Sequence, residues 1–168
     1  MKIYLVGYMG SGKSKAGKAL AAAMRAKFLD TDLMIEEETA KTIQEIFSEK
    51  GEEYFRGLEQ KVLLKTETMK NAVVATGGGL PCFHDNMSWM NKHGITVYLE
   101  TNEGLLFHRL AVSKKGRPLI EHLNDVELME LISRHMIERA AIYNLAKIKV
   151  NAASLNVKLL QQKIEKLK

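Results

Sequence analysis

Cysteine is nearly absent from this 168-residue chain, in which Cys82 stands alone. A single thiol forms no internal bridge, which excludes a disulfide scaffold and points to a reducing compartment, the cytoplasm. Long hydrophobic runs are missing as well, since none approaches the roughly 20 residues that cross a bilayer. The first apolar run, Ile3-Tyr4-Leu5-Val6, breaks at Gly7 and continues into Gly10-Ser11-Gly12-Lys13 without a small-residue cleavage pattern, so it is not read as a signal peptide. Aromatics make up only 7% of the residues, and no basic stripe is interleaved with them. That argues against a nucleic-acid partner. The excess of 25 Lys+Arg over 20 Asp+Glu, a net charge of +5, suits an acidic partner, either nucleic acid or a small anionic ligand, and composition by itself does not choose between them. His84, His93, His108, His122 and His135 show no ligand-like spacing, so no zinc site is expected.

What is present is enough for one domain. A chain of this length buries roughly two-thirds of its unfolded surface, so a single core suffices. With no linker, repeat or low-complexity segment, residues 1–168 read as one domain, and nothing marks a subunit interface, so a monomer is expected. Buried strands are expected at Ile3–Val6, Ala72–Thr76, Ile95–Leu99 and Lys147–Val150, with a very short fifth at Phe28-Leu29. A helix is expected from Ser14 to about Lys27, and an amphipathic one in the tail through Leu155, Leu159, Leu160, Ile164 and Leu167. Strands alternating with helices indicate a parallel sheet covered on both faces. Between Asp32 and Lys70 the chain carries only helical periodicity and reads as a helical insertion between two strands. The polar, basic stretch Ala111–Leu123, with Gly116 and Pro118, reads as a mobile loop rather than packed structure.

Gly7-Tyr8-Met9-Gly10-Ser11-Gly12-Lys13-Ser14 fits G-x-x-x-x-G-K-[ST] at every fixed position, between an expected strand and an expected helix. The glycines let backbone N–H groups converge on phosphate oxygens, Lys13 neutralises β/γ charge and Ser14 offers a hydroxyl to Mg²⁺. Asp30-Thr31-Asp32 follows the second strand, where carboxylates serve either a ligand or a helix N-cap. Thr76-Gly77-Gly78-Gly79 closes the third strand, either as a tight turn or as backbone approaching a ligand. Arg56, Arg117 and Arg139, taken one at a time, read first as ordinary surface residues, with guanidinium clamps on a carboxylate or phosphate as the alternative.

Taken in order and spacing, the P-loop, Asp30-Thr31-Asp32, Phe55-Arg56, Gly77-Gly78-Gly79, Arg117-Pro118-Leu119 and Arg139 before Tyr143 resemble the shikimate kinases across nearly the whole chain. The resemblance implies a three-layer α/β P-loop kinase fold with a five-stranded parallel sheet, a substrate-binding insertion at 32–60 and a lid at 111–123. It implies transfer of the γ-phosphoryl group of ATP to the 3-hydroxyl of shikimate, with Mg²⁺ as cofactor. By the same resemblance, Gly10, Ser11, Gly12, Lys13, Ser14 and Lys15 surround the phosphates, while Ser14 and Asp30 serve the metal. Asp32 engages the attacking hydroxyl. Arg56 and Arg139 clamp the shikimate carboxylate, and backbone around Gly77, Gly78 and Gly79 completes that pocket. Arg117 reaches the transferring group from the lid, and Arg109 sits near adenine. The chain departs from the family pattern at Lys15, at Ala140-Ala141 and at Asn151-Ala152-Ala153-Ser154, where the usual adenine-contacting features are absent. The rival readings are a gluconate-type or nucleoside-monophosphate kinase and a nucleotide-gated binding module.

Overall fold

The computed structural model describes residues 1–167. Its elements run β1 Lys2–Val6, α1 Lys13–Ala23, β2 Lys27–Asp30, α2 Thr31–Thr39, α3 Ile43–Lys65, β3 Ala72–Ala75, α4 Asn86–His93, β4 Ile95–Glu100, α5 Glu103–Ala111, α6 Asp125–Tyr143, β5 Ile148–Asn151 and α7 Val157–Glu165. All five strands are parallel, in the order β2-β3-β1-β4-β5. The central strand β1 pairs Ile3 with Val73 on one side and with Ile95 on the other.

Alternation along each strand divides the core between two faces. Ile3, Leu5, Val73, Val97 and Leu99 pack with Leu20 of α1 and with Leu160 and Ile164 of α7. Tyr4, Val6, Val74 and Tyr98 face the other way, against Leu63, Met87, Met90 and Tyr143 from α3, α4 and α6. These are the three layers expected of a parallel sheet. The expected tail helix is therefore a sheet-packing element, although Leu159 and Leu167 remain exposed.

One boundary differs from expectation. The first helix stops at Ala23 rather than near Lys27, because the chain turns at Arg25, whose φ of 50° is left-handed, and re-enters as β2. The helical insertion runs to Lys65, within the stretch expected to be helical. Helix α3 opens with a capping box between Thr42 and Glu45, bends at Gly51 and packs Ile46, Phe55 and Val62 against Ile35 of α2.

The loop between α5 and α6 corrects a further expectation, because it is packed. Ile120 is fully buried among Tyr8, Leu106, Leu110, Leu128 and Ile132. A second capping box, Asn124 with Glu127, marks where the loop gives way to α6.

Candidate active site

The sheet order reverses beside β1, and loops leaving the carboxyl ends of β1, β2 and β3 meet there, where open α/β sheets bind ligands. The loop from β1 into α1 holds Gly10 and Gly12 at φ values of 80° and 93°, a region open to glycine and costly for other residues. Gly12 caps α1 without a side-chain bond, so the first-turn N–H groups face the cleft. Lys13 is buried, and its ammonium donates to the carbonyls of Gly7 and Tyr8, each at 2.8 Å. Burial lowers its pKa to about 8 despite the opposing pull of Asp32 and Asp30, which leaves it largely protonated at neutral pH.

The helix-cap reading of Asp30 holds in its geometry. One carboxylate oxygen accepts the backbone N–H of Asp32 at 3.1 Å and caps α2, while the other accepts the Ser14 hydroxyl at 2.7 Å. Ser14 and Asp30 thus present a pair of hard oxygen donors beside the phosphate loop. Such a set fits Mg²⁺, which takes few protein ligands and keeps several waters.

Asp32 projects from the first turn of α2 into the junction of two cavities. One, of about 370 Å³, is lined by Gly10, Lys13, Ser14, Lys15, Arg109 and Arg117. The other, of about 150 Å³, is lined by Phe47, Phe55, Arg56, Gly79, Arg117 and Arg139. Asp32 and Arg117 line both. The Oδ1 atom of Asp32 is buried without a hydrogen-bond partner. Burial, reinforced by the charge of Asp30, raises its carboxyl to about 6 against the attraction of Lys13.

The three glycines after β3 are explained by crowding. A Cβ on Gly77 would lie 2.5 Å from a Glu59 oxygen and 2.8 Å from Asp32 Oδ1. On Gly78 it would lie 2.8 Å from the Met9 nitrogen, and on Gly79 2.5 Å from the Arg56 guanidinium. The segment also turns, with Leu80 N–H bonded to the Gly77 carbonyl at 3.3 Å, so the expected tight turn is present and the crowding is against protein groups. The Gly77 N–H donates to the Thr31 hydroxyl at 2.8 Å, which ties β3 to the start of α2.

The arginines meet in the smaller cavity but are held differently. Arg56 donates to Glu52 at 3.2 and 2.7 Å and to Glu59 at 2.6 Å, with Phe83 stacked 4.4 Å away. Arg139 is buried, lies over the Tyr8 ring and has no acidic partner among the described residues. Arg117 donates to Ser113 at 2.7 Å, and burial lowers its pKa. Arg109 donates to the Gly10 carbonyl at 2.9 Å. It borders both the phosphate cavity and a cleft of about 550 Å³ lined by Leu99, Ala152, Ala153, Leu155 and Val157. Lys15 is exposed at the edge of the same two spaces.

Glu59 was not singled out from the sequence, yet it is 1% exposed at the centre of this acidic and basic cluster. Burial raises its carboxyl to about 7 even with Arg56 against it. Its spacing three residues after Arg56, with Glu52 four before, was the available signal. Tyr143, whose hydroxyl donates to the Gly78 carbonyl at 2.6 Å, also went unmarked as a support of the glycine segment.

A phosphate-binding loop opening onto a second, arginine-lined cavity, with one carboxylate between them, defines a P-loop kinase acting on a small anionic acceptor. A family model described as shikimate kinase matches residues 9–168. The shikimate kinase of Phocaeicola vulgatus is 47% identical over 146 residues, covering 87% of this chain and 83% of that protein. The crystal structure of shikimate kinase from Bacteroides thetaiotaomicron superposes with a TM-score of 0.91 at 41% identity, covering 98% of each chain. That of the Acinetobacter baumannii enzyme in complex with shikimate gives 0.86 at 35% identity, over 99% of this chain and 91% of the other. The chain belongs to the shikimate kinase family.

Proposed function

We propose that the protein transfers the γ-phosphoryl group of ATP to the 3-hydroxyl of shikimate, giving ADP and shikimate 3-phosphate on the route to chorismate and the aromatic amino acids. The observation that carries this reading is the junction of the two cavities, where Asp32 and Arg117 face both. Shikimate is a carboxylate bearing ring hydroxyls, and the smaller cavity sets Arg56 and Arg139 together with Asp32 and Arg117, which also border the phosphate-loop cavity.

Phosphoryl transfer depends on positioning and charge stabilisation more than on covalent chemistry. The N–H groups of Gly10 through Lys15 receive the ATP phosphates, and Lys13 swings from the loop carbonyls to the β/γ oxygens. Arg117 stabilises the charge of the group in flight. Arg56 and Arg139 hold the shikimate carboxylate and so aim the 3-hydroxyl at Asp32, which accepts its hydrogen bond and draws off its proton. Backbone from Gly77 to Gly79 closes the pocket wall. Ser14 and Asp30 hold Mg²⁺, which offsets phosphate charge when bound with ATP. Arg109 and the cleft at Ala152 and Ala153 take the nucleoside. The loop over 111–123 acts as the lid that excludes water, so that ATP is not spent on hydrolysis.

The same reading makes the protein a cytoplasmic monomer with no nucleic-acid or membrane partner, which light scattering on the purified chain checks for the monomer. The decisive assay is coupled ADP release with Mg²⁺-ATP, comparing shikimate, gluconate, nucleoside monophosphates and no acceptor. Release with shikimate alone is expected. Activity with another acceptor and silence with shikimate would reassign the Arg56 and Arg139 pocket.

A further inference from the structure

Arg139 differs from Arg56 in what holds it. Arg56 is gripped by two glutamates, whereas the guanidinium carbon of Arg139 lies 5.5 Å from the centre of the Tyr8 ring. Tyr8 is the second residue of the phosphate loop and is 1% exposed. Its hydroxyl meets Nδ1 of His135 at 2.8 Å, and the two rings are tilted by 58° with centres 5.8 Å apart. His135 precedes Arg139 by 139 − 135 = 4 residues on α6, so both project from one face of that helix. A single tyrosine is therefore gripped twice by α6, on its ring face by Arg139 and at its hydroxyl by His135.

We propose that His135 is a positioning residue for shikimate: it fixes the Tyr8 ring, and that ring sets the plane in which the Arg139 guanidinium meets the substrate carboxylate. The inference rests on reading Arg139 as a carboxylate ligand. A cation over an aromatic face is held by the ring quadrupole, and this attraction depends on how the ring is turned. A guanidinium also binds a carboxylate through two parallel N–H bonds only when its plane is right. The hydroxyl bond to His135 opposes the swing of the Tyr8 ring that would tilt this plane. Burial, with help from Arg139 and Arg134, lowers the His135 pKa to about 4, and burial raises Tyr8 to about 12. A neutral imidazole therefore faces a neutral phenol at working pH, and His135 adds no cation to compete for the substrate anion. Meanwhile the Tyr8 carbonyl accepts the Lys13 ammonium at 2.8 Å, so the main chain of this residue serves the phosphate side and its ring the acceptor side.

The test uses the full chain and five variants: Tyr8→Phe and His135→Leu, which remove the bond from either end; His135→Asn, whose amide stands near the place of Nδ1; the Tyr8→Phe/His135→Leu double variant; and Arg139→Met. Loss of one hydrogen bond should raise KM for shikimate about three- to tenfold in Tyr8→Phe and His135→Leu, with kcat and KM for ATP moving by less than about twofold. His135→Asn should restore the shikimate KM, and the double variant should be no worse than the worse single one. Arg139→Met should raise the shikimate KM by more than either. An unchanged shikimate KM in Tyr8→Phe and His135→Leu, beside a raised one in Arg139→Met, overturns the positioning role alone. So does a parallel rise in both KM values, or a His135→Asn variant as impaired as His135→Leu. An unchanged KM in Arg139→Met removes the carboxylate-clamp reading itself. If His135→Leu melts below the assay temperature, Tyr8→Phe decides, because it breaks the same bond with the ring left in place.

Discussion

Asp32→Asn is expected to stop phosphoryl transfer and, in the ligand-free and metal-free protein, to raise stability above neutral pH. The carboxyl of Asp32 stands at about 6 instead of 3.8, chiefly through burial and then through Asp30, and its Oδ1 atom has no partner. A displacement of about two pK units corresponds to about 3 kcal/mol of unfavourable charge at high pH. The amide that replaces it brings N–H donors, and one left unpaired costs about 1–3 kcal/mol. Glu59 is an acceptor within reach, since it and Asp32 flank Gly77 together. The net gain is then about 1 kcal/mol, or about 2–4 °C in Tm for a chain of this size. The sign with pH follows from linkage. A native carboxyl with a raised pKa binds more protons than the unfolded one between about pH 4 and 6, so wild-type stability falls as pH rises through that window. The Asn variant lacks this contribution, so its advantage in Tm should grow from pH 4 to 7 and then level off. Scanning calorimetry in EDTA from pH 4.5 to 8.5, paired with coupled ADP release, measures both effects. Parallel Tm profiles, or a variant melting at or below wild type at pH 8, would refute the reasoning.

Lys13→Met should abolish turnover while Tm stays within a few degrees of wild type; normal turnover would remove the lysine from the phosphate site. Gly79→Ala places a Cβ 2.5 Å from a guanidinium that three hydrogen bonds to Glu52 and Glu59 hold in place. Displacing Arg56 should cost about one charge-assisted bond of about 1.5–3 kcal/mol, a tenfold or greater rise in the shikimate KM with the ATP KM little changed. Equal effects on both substrates would show that the crowding lies elsewhere. With Asp32 at about 6, kcat/KM for shikimate should fall as pH drops through that value, since the protonated acid no longer accepts the hydroxyl proton. Asp32 also raises the neighbouring Glu59 carboxyl, and a flat profile from pH 5 to 8 would exclude Asp32 as the accepting group.

The residues that were legible from sequence are those whose type is dictated by local chemistry. The P-loop announces itself because glycines at positive φ, a lysine and a serine must follow one another at set spacing. Strands β1, β3 and β4 were legible because parallel strands covered on both faces are continuously apolar. The edge strand β2 was harder, since Lys27 and Asp30 at its ends carry no such signal. The end of α1 was invisible because Arg25 takes its left-handed turn without a glycine or proline to mark it. Ile120 sits in a stretch whose composition is that of a loose loop, and only the packing of α5 against α6 makes a socket for it. Glu59 looked like any glutamate on a long helix, because what singles it out, Arg56 and Gly77 closing over it, is tertiary.

The socket around Ile120 also sets a clock. If the 111–123 loop lifts to exchange substrates, it must draw Ile120, its one fully buried side chain, out of an apolar seat that Leu119 and Leu123 also partly share, and burying an isoleucine contributes about 1.5–3 kcal/mol. On that term alone the lifted state holds about one molecule in ten to one in a hundred and fifty, a minority that thermal motion can still reach on the microsecond-to-millisecond scale of loop opening. Leu119 and Leu123, partly buried against the same cluster, lower that fraction further, and departure of the product slows in proportion. One isoleucine is thus a hinge pin of graded strength, and trimming or enlarging it would tune the opening rate without touching a residue that meets either substrate.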